Sequence, residues 1–150
     1  MSNDPAARLA ALEDIEAIKR LKASYFRLVD AKRWPEVKSL FSPDAEIAAT
    51  AGESGSVEGF VASLEALTAG VTTFHAGHMP EIDLWSAGRA RGRWAMTFHM
   101  QWEQEGVVRG RQGYRLYEDE YTRSESDGRW RISRMQITAI PADPLAVRPA

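Results

Sequence analysis

Cysteine is absent from this 150-residue chain and histidine occurs only three times. Disulfides, thiolate nucleophiles and zinc–thiolate sites are therefore excluded, and any chemistry must use histidine, carboxylates, tyrosine or an added cofactor. Positive charge is not in surplus either. A formal net charge of -2 and a pI near 5.9 leave no basic stripe for a phosphate backbone, so nucleic acid is not an expected partner. No apolar run approaches the roughly 20 residues that span a bilayer. Met1 to Ala10 also lacks the basic and apolar regions of a secretory leader. A cytoplasmic protein with no membrane partner is expected.

The composition that remains is that of a folding chain, with 44% hydrophobic and 27% charged residues. Its length suits a single domain over 1–150, able to bury about two-thirds of its unfolded surface without staples. The core is expected over about 14–140, with 141–150 as a wrapping or frayed tail.

Asp4-Pro5 is a helix start, because Asp caps free amides and Pro is tolerated at the first helical position. Leu9, Leu12, Ile15, Ile18, Leu21, Tyr25, Leu28 and Val29 then recur at spacings of three and four, which predicts a helix to about Asp30. A short helix follows from Trp34-Pro35-Glu36 to Leu40-Phe41, stopped by Ser42-Pro43-Asp44. Glu46 to Thr50 reads as a short strand and Gly52 to Ser56 as a loop. Phe60, Val61, Leu64 and Leu67 mark a third helix that ends near Gly70.

Beyond Gly70 the period changes from helical to alternating. Trp94, Met96, Phe98, Met100 and Trp102 alternate with polar or small residues and give a strand with one apolar face. Neighbouring strands are expected over Val71 to Trp85, Val108 to Arg123 and Gly128 to Ile140. Their turns lie at Ser86-Ala87-Gly88, Glu105-Gly106 and Asp127-Gly128, the last suited to a tight primed turn. Helices followed by an antiparallel meander predict an α+β fold, with three N-terminal helices on one face of a mainly antiparallel sheet.

Two of the histidines fall in Thr73-Phe74-His75-Ala76-Gly77-His78-Met79-Pro80, where their odd separation sends them to opposite strand faces. With no His-x-His or His-x3-His spacing, no metal site is expected. Asp30 lies about 40° round the helix from Phe26 at 100° per residue, at the border of the apolar stripe. Periodicity leaves it either a pocket carboxylate or a solvated one paired with Arg27 or Arg33. Tyr25 is equally open, as a core ring or a functional hydroxyl, and His75 as a structural residue or a base.

Asp14-Ile15-Glu16-Ala17-Ile18-Lys19-Arg20-Leu21-Lys22, Tyr25-Phe26-Arg27, Asp30 and Trp34 resemble the opening helix pair of the SnoaL-like family, within the nuclear-transport-factor-2-like superfamily. His75-x-Gly77-His78-Met79-Pro80-Glu81-Ile82, Gly92-Arg93-Trp94, Tyr121 and Asp127-Gly128-Arg129-Trp130 resemble its sheet. The likeness runs from about Asp14 to Gln136. It is greatest to the bile-acid 7-alpha-dehydratases and more distant to scytalone dehydratases and hexachlorocyclohexane dehydrochlorinases. The resemblance implies a cone-shaped fold in which helices and a curved sheet enclose a pocket.

It further implies a dyad of Asp30 and His75, with Tyr25 at the position of a pocket tyrosine. Three departures accompany it: Phe98 stands where a further aspartate is found in the bile-acid branch, Ala139 near its C-terminal arginine, and Ala49 at the scytalone-branch tyrosine. Bile-acid dehydration is therefore not implied. The residues that remain suit a cofactor-independent β-elimination, with His75 as general base on a hydrophobic aromatic or polycyclic molecule. The expected pocket lining is Trp94, Met96, Phe98, Met100, Tyr114 and His78, a set that simple core packing would also explain. Isomerisation, release of formaldehyde from an aromatic compound, and non-catalytic binding of a small molecule are the alternatives. A homotrimer is expected by resemblance, with a dimer as the alternative.

Overall fold

A computed structural model describes residues 4–49 and 54–141. Asp4 stays extended and its carboxylate accepts the Ala6 N–H at 3.1 Å, and helix α1 runs Pro5–Asp30. Only part of its apolar stripe enters the core. Ile18, Tyr25, Phe26 and Val29 are buried, whereas Leu9 and Leu12 in the first turns remain 59% and 61% exposed. Lys22 occupies the same buried stripe, at four residues from Ile18 and three from Tyr25.

At the end of α1 the N–H of Lys32 bonds the Val29 carbonyl and that of Arg33 the Leu28 carbonyl, the Schellman pattern. Lys32 itself holds φ 58, a left-handed position more often given to Gly. Helix α2, Trp34–Ser39, seals Val37 completely and stops before Phe41. The expected stop at Ser42-Pro43-Asp44 is corrected here, since these residues already belong to strand β1, Phe41–Ala49. Pro43 has no N–H for a ladder, and the β1 register accordingly shifts between Phe41 and Glu46. Residues of the expected loop at 52 and 53 lie outside the described residues, and Ser54–Gly55 forms a short strand β2. Ser56 then caps helix α3, Val57–Thr68, by accepting the Gly59 N–H at 3.2 Å.

Strands β3 (Thr72–Ser86), β4 (Arg89–Gln104), β5 (Val107–Arg123) and β6 (Trp130–Ile140) form the expected antiparallel meander. The sheet order is β2-β1-β6-β5-β4-β3, and β1 joins β6 in parallel, so the sheet is mixed. Glu105 and Gly106, at φ 53 and 75, make the two-residue turn between β4 and β5. Asp127-Gly128 does not make one. The Asp127 carboxylate accepts the Arg129 N–H at 3.0 Å and holds Arg131 at 2.6 Å, and the hairpin closes further out, where Ser124 N–H meets the Arg129 carbonyl at 2.8 Å. The 141–150 tail lies, but for Pro141, outside the described residues.

The fold is thus α+β, with helices packed on one face of a curved sheet. Glycine shapes that face at two points. A Cβ on Gly113 would fall 2.6 Å from the Phe98 ring and one on Gly77 2.7 Å from the Phe26 ring, so both phenyl groups press directly on the strand backbone. Each ring is about 5% exposed, a burial that contributes roughly 1.5–3 kcal/mol apiece.

Candidate active site

Asp30 closes α1 and His75 sits four residues into β3, packed beneath it. A carboxylate at the C-terminal end of a helix meets an unfavourable dipole. Three hydrogen bonds offset it. Asp30 Oδ1 lies 2.6 Å from His75 Nδ1 and accepts the Thr73 hydroxyl at 2.9 Å, while Oδ2 accepts the His75 backbone N–H at 2.9 Å. Burial alone would raise the Asp30 pKa, but the bonds from the His75 ring and amide outweigh it and hold the carboxyl below its usual range. An ionised Asp30 only accepts, so the imidazole proton belongs on Nδ1 and Nε2 carries a free lone pair.

Two phenyl rings approach the imidazole. Phe26 stacks on it with centroids 6.1 Å apart and planes 4° from parallel, and Phe98 lies tilted at 6.3 Å. About a sixth of the His75 side chain, 17%, remains exposed, with Asp30 similar at 19%. The ring faces a cavity of about 320 Å³ whose walls are mostly apolar. Helix α1 supplies Tyr25, Phe26 and Val29, α3 supplies Phe60 and Leu64, and the sheet supplies Met96, Phe98, Met100, Arg115, Tyr117 and Ile137. The Tyr25 and Tyr117 hydroxyls pair with each other, and burial pushes both pKa values up, so that each ring is a neutral hydrogen-bonding group.

Of the residues singled out in the sequence, His75, Tyr25, Met96, Phe98 and Met100 line this cavity, and Asp30 joins them through its bond to His75. Three expected lining residues lie elsewhere. Trp94 shares the inner face but sits deeper, its Nε1 donating to the Tyr121 hydroxyl at 3.0 Å. Tyr114 is 37% exposed, because its even position on β5 faces outward while Gly113, Arg115 and Tyr117 face inward. His78, at odd separation from His75, is exposed on the opposite face with Nε2 2.9 Å from Thr97 Oγ1. Nor does Asp30 pair with its neighbouring arginines: Arg27 reaches Ser24, and Arg33 pairs with Glu36. The Ala49 side chain lies outside the described residues.

Several site residues escaped sequence reasoning. Thr73 shares the parity of His75 two residues on, which was a usable signal. Lys32 gave none, yet its left-handed backbone lets Nζ donate to Thr73 Oγ1 at 2.9 Å, fixing the hydroxyl that bonds Asp30. Tyr117 and Arg115 were readable from the alternation with Tyr121. A larger, open groove of about 710 Å³ lies between α1 and β6, but it is away from the dyad. Its Asp14 is already engaged by Arg123 and by Trp130 Nε1.

A sequence model of the SnoaL-like domain matches residues 10–136. Among solved structures, a scytalone dehydratase-like protein from Novosphingobium aromaticivorans shares 22% identity with a TM-score of 0.79, covering 94% of this chain and 93% of that one. LinA shares 20% identity with a TM-score of 0.79 over 95% of this chain and 99% of its own. An NTF2-like protein with a cystatin-like fold, also from Novosphingobium aromaticivorans, shares 20% identity with a TM-score of 0.74 over 97% and 96% of the two chains. At these identities the structures establish the nuclear-transport-factor-2-like fold alone.

Proposed function

The chain belongs to the SnoaL-like family, and we propose that it is a lyase that eliminates water or another small group from a hydrophobic aromatic or polycyclic molecule, without a cofactor. The observation that carries this reading is the 2.6 Å Asp30–His75 contact beside an apolar cavity of about 320 Å³. In this mechanism Nε2 removes a proton from an acidic C–H, the C–H electrons form the new double bond, and the leaving group departs with its own pair. Asp30 stabilises the imidazolium, which then returns the proton to a departing hydroxide equivalent as water. Tyr25 donates a hydrogen bond to the oxygen on which negative charge develops. The dehydratase-like neighbour in the same fold lends further support.

The test is the mass of the product from an identified substrate, with His75→Ala as the comparison. Elimination of water removes about 18 mass units, isomerisation none and formaldehyde release about 30, all starting from the same base. His75→Ala should lower turnover at least ~100-fold with circular dichroism unchanged. Near-native turnover in that variant would transfer the site to a binding role. The proposed assembly is a homotrimer through the outer sheet face, where Tyr114, Leu116 and Ile140 are exposed side chains. Light scattering at the 16.7 kDa mass of one chain would contradict it.

A further inference from the structure

Arginines on the two faces of the sheet have different surroundings. On the outer face Arg91 and Arg93 reach Glu118, Arg93 also reaches Glu81, and Arg89 and Arg134 approach Glu120. On the inner face Arg109, Arg111 and Arg115 stand opposite Trp102, Met100 and Met96 of β4 and so share the side that carries the pocket. None of these three pairs with a carboxylate among the described residues. In a chain of net charge -2, this makes a one-sided cationic row leading into an apolar cavity.

Arg115 is the member that enters it. Half-buried in the wall, it lays its guanidinium carbon 4.8 Å from the centre of the Phe98 ring, and the same ring approaches His75 at 6.3 Å. Nη1 donates to the Tyr114 carbonyl at 2.9 Å, which uses one of five N–H donors and fixes the fork in place. Burial lowers the Arg115 pKa and the charge of Arg111 lowers it further, the signature of a cation held near another cation without a counter-ion. An anion entering the pocket would relieve both. A planar guanidinium offering parallel N–H groups matches a carboxylate in shape as well as charge.

We propose that Arg115 is the anion-recognising residue of this pocket, and that the molecule bound there carries a carboxylate about one aromatic ring away from the carbon presented to His75. This deepens the reading of the same site as one for hydrophobic ring compounds, because it makes the ligand an aromatic acid with its charge at the arginine end. Arg111 and Arg109, further along the strand, would draw such an acid towards the mouth.

The test is calorimetric affinity, which requires no turnover, for two matched probes, 2-naphthoate and 2-naphthamide. Wild-type protein should bind the acid at least about tenfold more tightly than the amide, and added salt should narrow the gap. Arg115→Gln should erase the preference, Arg115→Lys should keep part of it, and His75→Ala should leave it standing. Equal affinity in the wild type, no binding of either probe, a preference that survives Arg115→Gln, or one lost in His75→Ala would each overturn the proposal. Should Arg115→Gln not fold, the Arg115→Lys and salt measurements decide it. Loss of the elimination reading would appear in product mass and leave these affinities untouched.

Discussion

Two buried or part-buried carboxylates each hold a nitrogen base at 2.6 Å among the described residues, Asp30 on His75 at the pocket wall and Asp119 on Lys22 beneath it. The first pair keeps nearly a fifth of its surface in contact with solvent, and the second has none. Lys22 lies 3.8 Å from the centre of the Tyr117 ring and 4.9 Å from that of Tyr25, while Asp119 accepts the Tyr121 hydroxyl at 2.9 Å. Burial pushes the Lys22 pKa down and the Asp119 pKa up, against the attraction between them. Each favours the uncharged form except for the presence of the other. A sealed pair of this kind has no inexpensive way to change charge during a reaction, whereas the dyad has an open nitrogen and nearby solvent. Tyr25 and Tyr117 stand between the two, covering Lys22 and lining the pocket.

The same isosteric change should therefore give opposite results at the two sites. Asp30→Asn removes tautomer control and the counter-charge for the imidazolium, and turnover should fall at least ~100-fold. Its effect on stability should be only about 1–2 kcal/mol. Because the folded Asp30 pKa is lowered, its ionisation stabilises the fold above the ordinary carboxylate range, and that contribution is lost as pH falls through the folded value. Asp119→Asn instead strands a buried ammonium and should cost about 3–5 kcal/mol in urea unfolding. The double variant Lys22→Met with Asp119→Leu should recover most of that loss, since it removes both charges together. If Asp119→Asn left stability intact, or Asp30→Asn left turnover intact, the division of roles would fail.

What could be read beforehand follows the same division. Local signals served well: the Asp4-Pro5 start, the period-2 pattern of β4, and Glu105-Gly106 all depend on neighbours in sequence. Asp30 and His75 came from resemblance, because periodicity placed Asp30 on a border and left it open. Lys22 was passed over for its type. Its position fits the apolar stripe, but lysine is rarely buried, and its partner Asp119 lies far along the chain. On β5, aromatics occupy both parities, so Tyr114 was chosen for the pocket where Tyr117 and Arg115 face it. The parallel pairing of β1 with β6 left no local trace, since it joins the first strand to the last. At Asp127-Gly128 a side-chain bond competed with the turn that the dipeptide favours.

Tyr25 belongs to both regions, and its hydroxyl gives the finest test of the boundary between them. It is 3% exposed, pairs with the Tyr117 hydroxyl and lines the cavity beside the dyad. If it serves only the packed layer above Lys22, Tyr25→Phe should cost about 1 kcal/mol of stability through one lost neutral hydrogen bond and leave kcat alone. If it also donates to an oxygen that becomes charged in the reaction, the bond strengthens in the transition state and its loss appears in kcat, not in KM alone. With a charged acceptor worth about 1.5 kcal/mol or somewhat more, kcat should fall about tenfold, well short of the effect at Asp30. We expect the second pattern, because burial keeps both phenols neutral, and Tyr117 can give its own proton to the Tyr25 oxygen while that of Tyr25 turns to the reacting oxygen. Steady-state kinetics of the folded variant on an identified substrate would read the split. An unchanged kcat with a lowered unfolding midpoint would assign Tyr25 wholly to the sealed region.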